Sequence, residues 1–166
     1  MRHRSLSHRF RWNRLPDGTR SNEGCIMSDQ PLIAVIDDEE SFLELMAAVL
    51  EEEGYRVVVG KVPEDSLTLI RQTHPALVVL DLNFRMSATQ GMAILRAMRD
   101  DTALADIPVI VCSGATDQLT QHQDVFAALS AQPLDKPFDL TDLFTLVADL
   151  LPASRQAVPA TDALRP

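Results

Sequence analysis

A doubly wound α/β fold, one parallel sheet of five strands with helices on both faces, follows from two features of this sequence. Five short apolar runs rich in β-branched residues alternate with five segments whose apolar residues recur at helical spacing. No apolar run approaches the length of a membrane span, so the apolar residues belong to one soluble core. The 166 residues suffice for one domain with a proper core and little else.

Residues 1–30 mix Arg, His, Ser, Asn, Gly and Pro without either period and lack the apolar stretch of a secretory leader. A disordered basic arm is expected there, and Met27 reads as an alternative translation start just ahead of the first strand. The first strand, Leu32 to Ile36, stops at Asp37-Asp38-Glu39-Glu40. Phe42, Leu45, Met46, Val49 and Leu50 then fall on one helical face until Glu51-Glu52-Glu53-Gly54, where Gly54 supplies the stop. Residues 55–59 form a second strand. Pro63 with Glu64 and Asp65 opens a second helix, as the first turn favours, and His74-Pro75 ends it.

The third strand, residues 76–81, is apolar until its final carboxylate, Asp81, which is expected on the rim of the core. A loop over 82–90, a helix over about 91–99 and a fourth strand over 107–112 follow, closed by Ser113-Gly114. A fifth pairing has a helix over 117–130, a very short strand over 132–135 and Lys136-Pro137-Phe138. The last helix begins at the cap Asp139 and shows Leu140, Leu143, Phe144, Val147 and Leu151 on one face. The folded part is thus expected over residues 31–151, with a disordered tail over 152–166.

Charge is unevenly distributed. Residues 1–26 carry six Arg against Asp17 and Glu23, a net +4, and the remainder carries a net −13. An acidic globule repels a phosphate backbone, so no direct nucleic-acid binding is expected, even with Trp12 set among Arg9, Arg11 and Arg14. Cys25 and Cys112 stand in unlike contexts and indicate neither a disulfide framework nor a metal site, which fits a reducing cytoplasm. His3, His8, His74 and His122 lack metal-ligand spacing.

In open α/β sheets the ligand site lies beyond the carboxyl ends of the strands, at the point where strand order reverses. The residues there are Asp37 and Asp38 after strand one, Asp81 at the end of strand three, Ser113 after strand four and Lys136 after strand five. Singly, each has an ordinary explanation as a cap, a turn residue or a solvated charge. Together they share one edge. Three crowded carboxylates repel one another unless a cation lies among them, and a hard cation such as Mg2+ suits oxygen ligands. Asp37, Asp38, one oxygen of Asp81 and the backbone carbonyl of Asn83 would supply them. The other Asp81 oxygen would be free to attack phosphorus, with Lys136 and the Ser113 hydroxyl pairing phosphoryl oxygens.

With Asp37-Asp38, Asp81 at a strand end, Ser113-Gly114 and Lys136-Pro137-Phe138 in this order, the chain resembles a response-regulator receiver domain of two-component signalling, over about residues 31–151. The resemblance implies a flavodoxin-like sheet of order 2-1-3-4-5 and a cis Lys136-Pro137 bond. It also implies Mg2+-dependent phosphorylation of Asp81 by a histidine kinase or histidine phosphotransfer protein. Two departures bear on the switch. An aromatic residue commonly stands three before the lysine, where this chain has Pro133, so an aromatic-rotamer readout cannot operate. The loop after Asp81, Asn83-Phe84-Arg85-Met86-Ser87-Ala88-Thr89-Gln90-Gly91, reads as lengthened.

Rival readings fit less well. An aspartyl-nucleophile phosphohydrolase usually places its nucleophile in an Asp-x-Asp turn after the first strand and encloses substrate with a cap domain. A flavin carrier of the same fold needs hydroxyls and amides in a first loop that is here acidic. A receiver-like scaffold without phosphorylation would need none of the five site residues. The expectation is therefore a stand-alone regulator, not itself an enzyme beyond its own phosphorylation and dephosphorylation, acting through a downstream effector protein.

Overall fold

The computed structural model describes residues 30–84 and 89–151, without the side chains of residues 116–118. The expected arm (except Gln30), Met27, the tail over 152–166 and residues 85–88 of the lengthened loop lie outside the described residues. Five strands, β1 (Leu32–Ile36), β2 (Arg56–Gly60), β3 (Leu77–Asp81), β4 (Val109–Ser113) and β5 (Ala131–Asp135), form one parallel sheet in the order β2-β1-β3-β4-β5. The helices are α1 (Glu40–Glu52), α2 (Pro63–Thr73), α3 (Gln90–Asp100), α4 (Thr116–Gln121), α5 (Gln123–Ala128) and α6 (Leu140–Leu150). None of them is long and apolar enough to cross a membrane.

Alternation along the strands divides the core into two layers. Ala34, Ile36, Val78, Leu80, Val109 and Val111 face Ile70 of α2, Leu95 of α3, Leu119 of α4 and Phe126 of α5. Ile33, Val35, Leu77, Val79, Ile110 and Cys112 face Leu43, Met46 and Leu50 of α1 and Leu143 and Val147 of α6. The central strands β3 and β4 are buried at every residue, which is why they read as unbroken apolar runs.

Where the structure departs from expectation, the cause is local. The single helix expected over 117–130 is two short helices, so the described residues hold six helices rather than five. Leu119 and Phe126 are buried, but residues 120–124 between them bury nothing, and His122 leaves helical geometry at φ −110 and ψ 14. Packing does not require a continuous helix across this stretch, in which Thr120, His122 and Asp124 are poor helix formers. Leu45, expected on the buried face of α1, is 53% exposed; the buried stripe is Leu43, Met46 and Leu50. Leu140 is likewise exposed at the start of α6. Asp139 takes the extended N-cap backbone but makes no side-chain capping bond.

Other signals are realised as expected. Gly54 closes α1 with φ 87, Pro63 opens α2, and His74 ends α2 in the left-handed region with φ 44. Pro133 is accommodated because β5 is an edge strand with β4 as its partner, so one side of its backbone has no ladder to satisfy.

Candidate functional site

Strand register assembles the site. Ile36 pairs with Leu80, Asp81 with Cys112 and Ser113 with Asp135, so the residues closing β1, β3, β4 and β5 meet at one edge. The ladder continues past the strands through Asp37 N–H to the Gly60 carbonyl at 3.0 Å, Leu82 N–H to that of Cys112 at 2.9 Å and Lys136 N–H to that of Ser113 at 2.8 Å. The Lys136-Pro137 peptide bond is cis. A cavity of about 300 Å³ opens there, lined among others by Asp37, Asp38, Asp81, Asn83 and Lys136.

Lys136 ties two of the carboxylates together. Its Nζ donates to Asp37 Oδ2 at 2.6 Å and to Asp81 Oδ1 at 3.1 Å. The remaining oxygens accept backbone amides, Asp37 Oδ1 from Glu39 at 2.8 Å and Asp81 Oδ2 from Asn83 at 3.0 Å. Asp81 is more enclosed than a rim position implies, at 6% exposure, and Asp37 is at 2%. Burial pushes the Asp81 carboxyl above the usual aspartate range; Lys136 opposes this, the Asp37 charge reinforces it, and the Asn83 amide opposes it. Burial works to lower Lys136, but Asp37 and Asp81 outweigh it and hold the ammonium above the ordinary lysine range. It stays charged at neutral pH.

Asp37, Asp38 and Asp81 each present an oxygen within 4.8 Å of the others. The donor set is all-oxygen, so a hard divalent cation such as Mg2+ fits it by donor chemistry. Cys112, by contrast, has its thiol pushed up to about 12 by burial and offers no thiolate.

The fourth strand contributes differently. Ser113 Oγ accepts the Asn83 side-chain amide at 2.8 Å and the Ala115 N–H at 3.0 Å, and Ser113 is fully buried rather than lining the cavity. Register brings it to the edge as expected, but its hydroxyl points to partners other than Asp81.

The supporting roles of Phe42 and Gly91 escaped the sequence reading. The Phe42 ring lies 3.9 Å from Lys136 Nζ, braced edge-on by Phe138 with centroids 6.2 Å apart, which makes a cation–π seat for the ammonium. Phe42 carried only a helix-face signal, and nothing in its spacing pointed to residue 136. Gly91 is a necessity of packing: a Cβ there would stand 2.3 Å from the Asp81 carbonyl oxygen and 2.5 Å from Leu82 Cα. The first turn of α3 thus lies directly against the end of β3.

Comparison with known proteins agrees with this geometry. Residues 33–148 match the family described as the response regulator receiver domain. Response regulator RR06 of Streptococcus pneumoniae is 37% identical over 119 residues, covering 72% of this chain and 52% of that protein. The DNA-binding dual master transcriptional regulator RpaA of Synechocystis is 31% identical over 121 residues, covering 73% and 49%. The chain thus spans about half the length of these curated relatives. Among solved structures, the receiver domain of Francisella response regulator 1452 superposes with a TM-score of 0.64 at 24% identity, covering 73% of this chain and 96% of that one. Vibrio cholerae chemotaxis protein CheY4 does so at 0.65 and 20%, covering 74% and 99%; at such identities the likeness speaks for the fold. With its five-stranded 2-1-3-4-5 sheet and a family match across both core layers, the chain belongs to the response regulator receiver domains of two-component signalling.

Proposed function

We propose that this receiver accepts a phosphoryl group on Asp81 from a histidine kinase or histidine phosphotransfer protein, with Mg2+ held by Asp37, Asp38, Asp81 and the backbone carbonyl of Asn83. The observation that carries the reading is the meeting of three carboxylates within 4.8 Å with an ammonium bonded to two of them. A structural ion pair would need one acid for one base. Here three carboxylates converge around one ammonium at the edge of a core, an arrangement that favours a cation and a ligand bearing phosphoryl oxygens.

In this reading an Asp81 carboxylate oxygen attacks phosphorus, the new O–P bond replaces the P–N bond of the donor phosphohistidine, and the imidazole leaves. Bound Mg2+ would supply charge neutralisation for the phosphoryl oxygens. Lys136, seated on Phe42 and held by Asp37, would exchange its Asp81 contact for a phosphoryl oxygen. Asp37 stays buried and bonded to Glu39 N–H and Lys136, which fixes the ammonium for that exchange.

The signal would leave through binding. Phosphorylation adds about −1.5 to −2 charge. Ser113 would move toward the phosphoryl group and carry Gly114 and α4 with it, changing the face made by α4, α5, β5 and α6 and so its affinity for an effector protein. With Pro133 in β5, no aromatic rotamer takes part at that position. Incubation with radiolabelled acetyl phosphate and Mg2+ tests the assignment: wild type becomes labelled and Asp81→Asn does not, whereas equal labelling of both would overturn it. Phosphotransfer profiling against purified histidine kinases would identify the donor.

A further inference from the structure

We propose that Asn83 is a positioning residue, a latch that holds Ser113 away from the phosphoryl group Asp81 receives. The inference rests on the phosphoacceptor reading above and assigns to the Asn83 side chain a role separate from that of its backbone carbonyl.

Asn83 bridges the ends of two neighbouring strands. Its backbone N–H donates to Asp81 Oδ2 at 3.0 Å, and its side-chain amide donates to Ser113 Oγ at 2.8 Å. Ser113 Oγ also accepts the Ala115 N–H at 3.0 Å. A hydroxyl oxygen has two lone pairs, so these two donors occupy both. Ser113 is 0% exposed, while Asn83, Gly114 and Ala115 line the cavity next to Asp81. The hydroxyl is therefore set back from the cavity that Asn83 lines.

A phosphoryl group on Asp81 must occupy that cavity, and because Ser113 is buried and does not line it, the hydroxyl reaches the group only by a rotation that carries Oγ away from the Asn83 amide. The Asn83 bond exists in the withdrawn arrangement and is lost in the engaged one. A contact made in only one of two states biases the equilibrium toward that state, and removing it shifts the population the other way. Among the described residues the Ser113 bond is the hydrogen bond that the Asn83 side chain makes, its Oδ1 having no partner there.

The test is titration of wild type, Asn83→Ala, Ser113→Ala and the double variant with beryllofluoride and Mg2+, read by calorimetry. Asn83→Ala keeps the backbone carbonyl. One hydrogen bond released gives about 3- to 10-fold tighter binding in Asn83→Ala, and no gain in the Ser113→Ala background. Equal affinity in wild type and Asn83→Ala overturns the latch, as does an equal gain with and without Ser113, which would place the amide's effect on the ligand itself. If wild type does not bind, or Asp81→Asn binds equally, the phosphoacceptor reading fails and takes the latch with it. A second readout needs neither metal nor ligand: side-chain NMR couplings of Ser113 should report one rotamer in wild type and averaging in Asn83→Ala. A single rotamer in both overturns the proposal. Asn83→Thr, which also removes the amide, replaces Asn83→Ala if that variant does not fold.

Discussion

Asp37, Asp81 and Lys136 stand at the ends of β1, β3 and β5, joined by direct ionic bonds and backed by the long helices α1, α3 and α6. Ser113 stands at the end of β4 and is followed by Gly114 and two helices of six residues each, divided at His122. On the first side a single added methyl has nowhere to go, since Gly91 lies against the backbone of Asp81 and Leu82; on the second, a Cβ on Gly114 would meet nothing within 4 Å. In the proposed function the two sides serve different ends. Holding charges in place for chemistry requires close packing and mutual bonding, whereas transmitting an event requires a segment whose position is set by few contacts. Adjacent strands hold them apart, and Asn83, bonded to both Asp81 and Ser113, joins them.

The comparison can be broken most directly at Lys136. Replacing it with alanine leaves Asp37 and Asp81 buried without their cation, and labelling by acetyl phosphate should fall about 100-fold. A fall of less than about threefold would show that the ammonium is not what readies the fixed side. Next come the two glycines. Gly91→Ala should lower stability by about 2 kcal/mol or more in urea unfolding, while Gly114→Ala should change it by less than about 0.5 kcal/mol; similar losses at both would erase the contrast.

Metal should stabilise the fixed side by mass action. At ten times its dissociation constant, Mg2+ should raise unfolding free energy by about 1.4 kcal/mol, and Asp38→Asn should abolish most of that gain. Smallest is the cost of keeping Asp81 charged without metal. Because its carboxyl is held above the ordinary aspartate range, its charge is a penalty to the metal-free fold above that raised value. Asp81→Asn should therefore be more stable than wild type at neutral pH, by on the order of 1 kcal/mol. The advantage should shrink as pH falls from the raised value and vanish below the ordinary one, which urea titrations across acidic pH would follow. Lys136 shares that direction with pH, although there the charged form is the favoured one: its contribution is present below the ordinary lysine value and lost as pH rises through its raised one.

Much of this was legible before any coordinates. Alternating apolar runs and amphipathic segments determined the fold class and the strand limits to within about two residues, because burial of a parallel sheet on both faces leaves an unbroken apolar run at each strand. The convergence of Asp37, Asp38, Asp81 and Lys136 was legible because a residue at or just past a strand end has its position set by the strand itself. Tertiary structure alone decided what depends on contacts between distant segments: the seat of Lys136 on Phe42, the closeness of α3 that demands Gly91, and the break between α4 and α5 where residues 120–124 bury nothing. It also decided which way Ser113 points. A sequence places a hydroxyl at the end of a strand, but its direction is chosen by the donors around it, here Asn83 from the loop after β3 and Ala115 from its own loop.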